Sequence, residues 1–126
     1  MDSEDFVKKL KRDFEFVNER GSLVQLVHCG YSQVNVVCSY AGTNRGGHLH
    51  KVAREAFYVI DGSLEIKLWR GKETIIKKYG KGDFFEVQPR VMHSLFFPTD
   101  CVMVALYDIP IENDKGEKDI YAEEDN

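Results

Sequence analysis

The chain has 126 residues, 43% of them hydrophobic and 30% charged, and a formal net charge of −4. That is the length of one domain, and the composition excludes disorder, collagen and coiled coil as the main state. No apolar stretch approaches the ~20 residues that a membrane helix needs, and no basic stripe suggests nucleic acid.

The first residues, MDSEDFVKKLKRD, are charged and lack an apolar core. They predict no secretory signal and a cytoplasmic protein. Residues 1–13 read as an arm or short helix, since Phe6, Leu10 and Phe14 stand four apart and Ser3 offers a cap. Phe14-Glu15-Phe16 then alternates, and Asn18-Glu19-Arg20-Gly21 has the composition of a hairpin turn. Leu23–Cys29 and Gln33–Tyr40 are Val- and Leu-rich strand segments separated by a turn at Gly30. Phe57–Ile60 runs into Asp61-Gly62, a strong hairpin signal. Ser63–Trp69 alternates, with Leu64, Ile66 and Leu68 on one face and Glu65 and Lys67 on the other. Thr74–Tyr79, Phe84–Val87, His93–Phe97 and Cys101–Ile109 complete the series. Strand signals this closely spaced predict an all-β sandwich or barrel in a single domain, 1–126.

The last strand, CVMVALY, is apolar on both faces, whereas a half-exposed antiparallel strand alternates. One outer face is therefore expected to be covered by a partner, most simply in a homodimer. Residues 112–126 hold seven acidic and two basic residues. This acidic tail reads as a solvated, partly frayed end. Cys29, Cys38 and Cys101 form no CxxC pair and read as buried structural thiols in a reducing compartment.

The chemistry lies in the histidines. His48 and His50 stand two apart on an extended segment, so both point to one face. Glu55 opens the next strand after a turn, and His93 opens a later one that reaches the same cavity in a closed barrel. Three imidazoles and a carboxylate make a competent site for Fe, Mn, Ni, Cu or Zn. The same groups can instead transfer protons, because a neutral imidazole works near physiological pH. His28 lies outside this set and reads as structural or exposed. Tyr58, Trp69 and the phenylalanines read as packing residues, and Lys51 and Arg54 as solvated flanks of the site.

At these residues the sequence resembles the RmlC-like cupin superfamily. Gly42, His48, His50, Glu55 and Gly62 fall in the spacing of the first cupin motif, and GDFFEVQPRVMH at 82–93 matches the second, GDxxxIPPGVPH, in register. Arg90 stands where the second motif has Gly, and Phe97 where it has Asn. The resemblance implies a conical β-barrel or jelly roll, often dimeric, with the site inside.

A narrower resemblance rests on ERGSLV at 19–24, NRGGHLHK at 44–51, Gly62-Ser63 and DCVM at 100–103. These segments are similar to the WxcM-like nucleotide-sugar 3,4-ketoisomerases. Related dTDP-sugar 3,5-epimerases share the Arg-Gly start, and the zinc-binding cupin half of capsule-precursor enzymes shares the second stretch. The resemblance implies a nucleotide-activated 4-keto sugar as substrate, in surface polysaccharide biosynthesis. It implies His48 and His50 as acid/base pair with Arg45 and Tyr40 nearby, and no metal. Ketoisomerases commonly lack a glutamate at the position of Glu55, so this chain keeps a full set for Zn, Ni, Mn or Fe in His48, His50, Glu55 and His93. The alternatives are a metal-dependent cupin isomerase or oxygenase on another small molecule, or a non-catalytic cupin that binds a metal or small ligand.

Overall fold

The computed structural model describes residues 3–122. A single 3-10 turn, Ser3–Asp5, precedes eleven strands: β1 Val7–Lys9, β2 Phe14–Asn18, β3 Gly21–Gln25, β4 Gln33–Ser39, β5 Thr43–His48, β6 Glu55–Asp61, β7 Ser63–Arg70, β8 Glu73–Gly80, β9 Phe84–Val87, β10 Met92–Phe97 and β11 Cys101–Tyr107. One sheet has the order β1-β9-β6-β11-β4, the facing sheet β5-β10-β7-β8, and β2 and β3 form a separate hairpin. All neighbours run antiparallel. The chain crosses repeatedly between the two sheets, as in a double-sheeted jelly roll.

Period-two burial explains the layers. Leu64, Ile66 and Leu68 of β7 point inward and meet Phe57 and Val59 of β6, Phe85 of β9, Leu95 and Phe97 of β10, and Met103 of β11. Phe85 stacks on Tyr79 of β8 with ring centroids 3.8 Å apart. This apolar plug fills the barrel below the mouth, so the inward residues one rung higher have a closed floor. The β6–β7 turn needs glycine: Gly62 has φ +88°, and a Cβ there would lie 2.1 Å from the Asp100 carbonyl oxygen.

The structure corrects several expectations. Residues 6–10 are not helical: Val7–Lys9 adds a strand to β9, and Phe6 is buried in the core. The i, i+4 spacing lost to the gain from sheet pairing and burial. Met1 and Asp2 of the arm lie outside the described residues. The outer face of β11 is covered in part by the chain itself, because Leu10, Leu26, Val27 and Tyr31 pack around Leu106, Ala56 and Phe84. Of the cysteines only Cys101 is buried. Cys38 is exposed on the outer face of the edge strand β4, beside exposed Val34 and Val36, and Cys29 is exposed in the loop before that strand. The tail is ordered through Tyr121. Glu112 bridges Lys118, and Tyr121 bridges Leu49. Residues 123–126 lie outside the described residues.

Candidate functional site

Strand register gathers the site. His93 of β10 lies opposite His48 of β5, and Glu55 of β6 lies opposite Tyr107 of β11. All four occupy the top inward rung, above Leu95 and Phe57. His50 follows β5 and enters from the loop to β6. The ligating atoms of His48, His50, Glu55 and His93 lie within 4.8 Å of one another. The ring centroids of His48 and His93 are 4.7 Å apart, and those of His48 and His50 are 5.0 Å apart. The structure thus brings together all four residues that the sequence proposes as a metal set.

Glu55 is the hub. Its Oε1 accepts from His50 Nε2 at 3.0 Å and from His93 Nε2 at 3.2 Å, and its Oε2 accepts from the Tyr107 hydroxyl at 2.7 Å. Burial pushes this carboxyl up, but the donors His50 and His93 outweigh it and hold the carboxyl down at about 2. Burial and the Glu55 charge push the Tyr107 phenol far up, so it stays a donor.

The two histidines of the pair differ. Burial, then the neighbouring His93 and His50, push His48 down to about 4. It is half-buried at the mouth and neutral at pH 7. His50 is buried, which by itself lowers its basicity, yet the Glu55 hydrogen bond and charge reverse that and the net shift is upward. Its Nδ1 donates to the carbonyl of Asp119 at 2.6 Å. Acceptors at both nitrogens favour the protonated ring.

The loop behind the pair is fixed from three sides. The Asp119 carboxylate accepts from the backbone N–H of Lys51, Val52 and Ala53 at 2.8, 3.0 and 2.9 Å. Asp108 accepts from the Arg54 N–H at 2.8 Å. Arg90 N–H donates to the His50 carbonyl at 2.6 Å. Arg90 has φ +67°, the left-handed conformation that explains why glycine is usual at this motif position.

Arg45 shares the inward face, opposite Leu95. Its guanidinium spans to β4, with Nε 2.8 Å from Ser39 Oγ and a second nitrogen 3.0 Å from the Cys38 carbonyl. It ties β5 to the end of β4 at the level of Leu95, one rung below the histidine cluster. Tyr40 is not brought to the cluster. It lies beyond the end of β4, continues that strand's outward row, and is 80% exposed. Tyr107 takes the phenol position beside the carboxylate. It was missed in the sequence, though the inward parity of Cys101, Met103 and Ala105 leads to it. Asp119 carried no sequence signal beyond the acidic run. His28 is exposed and paired with Asp13, as expected.

Two antiparallel sheets close on an inward histidine–glutamate cluster in the fold of the RmlC-like cupins. The family model for the polysaccharide biosynthesis C-terminal domain matches residues 16–96, and the chain belongs to that family. No curated protein matches by sequence. Among solved structures, the chain is similar to a 3,4-ketoisomerase from Helicobacter canadensis, with TM-score 0.74 and 19% identity, covering 87% of each chain. It is also similar to a mutant of the 3,4-ketoisomerase QdtA from Thermoanaerobacterium thermosaccharolyticum in complex with TDP-4-keto-6-deoxyglucose, with TM-score 0.71 and 18% identity, covering 87% of this chain and 83% of that one. A third is the capsular polysaccharide assembling protein CapF from Staphylococcus aureus, with TM-score 0.66 and 22% identity, covering 86% of this chain but only 32% of that one.

The lowered basicity of His48 has a stability consequence. Its folded value, about 4, lies below the ordinary imidazole value of 6.5. Between these values the unfolded chain binds more protons, so stability falls as pH drops through that window. Replacing His48 by Asn removes this contribution. Urea midpoints at pH 7 and pH 4.5 are expected to differ more for the natural chain than for His48→Asn, and equal drops contradict the assignment.

Proposed function

We propose that the chain acts on a nucleotide-linked 4-keto sugar as a ketoisomerase or epimerase in surface polysaccharide synthesis, moving protons at the carbon next to the ketone. The observation that carries this reading is the asymmetric pair at the barrel mouth. His48 is neutral and reachable, while His50 is sealed and held between Glu55 and the Asp119 carbonyl. The fold shared with 3,4-ketoisomerases, one of them in complex with TDP-4-keto-6-deoxyglucose, supports the substrate class.

A 3,4-ketoisomerisation needs no oxidant. A proton leaves carbon 3, the hydroxyl proton passes from oxygen 3 to oxygen 4, and a proton is returned to carbon 4. In this reading His48 and His50 are the acid/base pair. Arg45 meets the diphosphate or the enediolate, and the Glu55–His93–Tyr107 network holds the pair in place. His48→Asn and His50→Asn are each expected to lower solvent deuterium exchange into TDP-4-keto-6-deoxyglucose by ~10²-fold or more, read by mass spectrometry. No exchange by the natural chain with any 4-keto-6-deoxy nucleotide sugar sinks the proposal.

A second reading is favoured by the four ligand atoms lying within 4.8 Å. His48, His50, Glu55 and His93 would hold Zn, Ni, Mn or Fe, with the Asp119 carbonyl supporting His50 from behind. Such an ion would polarise a ketone or hydroxyl of the substrate. Elemental analysis of untagged protein purified without chelator separates the readings. About one ion per chain, lost in Glu55→Ala, establishes the metal centre, and no ion even after soaking leaves proton transfer by the histidines alone.

The homodimer belongs to the same proposal. Phe14, Phe16, Leu23, Val34 and Val36 leave apolar side chains exposed on the hairpin and on β4. A second copy covering them is expected to give a dimer mass in sedimentation, and a monomer at micromolar concentration contradicts it.

A further inference from the structure

The C-terminal strap from Ile111 to Tyr121 crosses the rear of the site and is pinned at both ends. Ile111 N–H donates to Gln33 Oε1 at 2.9 Å, and Tyr121 exchanges backbone hydrogen bonds with Leu49 at 2.9 and 3.0 Å. Lys51 Nζ sits 4.1 Å from the Tyr121 ring centroid. Asp119 lies between these pins. Its N–H bonds the Ile111 carbonyl at 2.9 Å, its carboxylate takes three consecutive N–H groups, and its carbonyl takes His50 Nδ1.

We infer that Asp119 is a positioning residue for His50: its carboxylate fastens the strap to the 51–53 loop, so that its own carbonyl keeps the fixed proton of His50 on Nδ1 and leaves the exchangeable one on Nε2, facing Glu55. A neutral imidazole carries one N–H. His50 has an acceptor at each nitrogen, Asp119 oxygen at Nδ1 and Glu55 oxygen at Nε2. A peptide carbonyl has no proton to give, so while it stays at hydrogen-bond distance Nδ1 must carry hydrogen. The exchangeable position is then Nε2, inside the site. Without the anchor the carbonyl leaves, Nδ1 meets water, and the remaining proton goes to Nε2, where Glu55 holds it. His50 then holds a single proton, on the site side, and cannot release it there and remain a neutral ring.

The assignment of the nitrogens stands on geometry alone. The effect on turnover rests on the proposed proton-transfer function. A residue that only stabilises the fold would change unfolding without changing the ring.

The test uses the full chain labelled with 15N. Long-range proton–nitrogen spectra of the histidine rings at neutral pH report which nitrogen is protonated. In the natural chain His50 Nδ1 is expected to be protonated. In Asp119→Ala it is expected to become acceptor-type, with the proton on Nε2 and the spectra of His48 and His93 little changed. Deuterium exchange into the sugar is expected to fall about tenfold or more through kcat, with KM nearly constant. Asp119→Asn keeps one acceptor oxygen and is expected to fall between. A folded Asp119→Ala chain with the natural His50 pattern overturns the inference. If that variant does not fold, an unchanged His50 pattern in Asp119→Asn overturns it instead. Natural protein with protonated Nδ1 but no exchange removes the proposed activity and leaves the positioning of His50 standing.

Discussion

The site depends on one buried carboxylate. Glu55 is nearly inaccessible, and an ionised group taken out of water without partners costs several kcal/mol. Three donors compensate it: His50, His93 and Tyr107. They come from a loop and two strands on different sheets, so satisfying Glu55 fixes how the two sheets meet at the mouth. The apolar floor of Phe57, Leu95 and Ile66 keeps water from offering a substitute from below. Among the described residues no buried side-chain polar atom lacks a partner.

The same carboxylate sets the two neighbouring histidines apart. His50 and His48 are two residues apart, yet only His50 touches Glu55. One imidazole therefore gains an anion on one side and a carbonyl on the other, while in its neighbour burial and two other rings outweigh the Glu55 charge. Their basicities move in opposite directions from the same starting value. An acid and a base side by side need that separation, and a metal site needs the same carboxylate and the same rear support of His50. The strap supplies that support from a segment whose composition gives no hint of it.

Much of the fold was legible because half-buried antiparallel strands carry period two in their side chains. Phe84–Val87 is bounded as its residues suggest, and Leu64, Ile66 and Leu68 all face the core. The His48, His50, Glu55 and His93 set was legible because its spacing follows the end of β5 and the starts of β6 and β10, which meet at one end of the barrel. What escaped was set by tertiary pairing. Val7–Lys9 has helical spacing but gains more as a fifth strand. Tyr40 stands near the site in sequence, yet strand parity turns it outward, while Tyr107, half a chain away, lies opposite Glu55. Asp119 was hidden in an acidic run because its value lies in three N–H groups of a distant loop. Cys38 sits in an apolar run, but on the outer face of an edge strand.

The proposed function puts the nucleotide-linked sugar at the mouth of the barrel, against the histidine–glutamate cluster. The most direct test is a titration of 15N-labelled protein with TDP-4-keto-6-deoxyglucose. The account predicts that backbone shifts centre on residues 45–50, 90–93 and 107. No shift at millimolar ligand, or shifts confined to the hairpin and the outer face of β4, would contradict it.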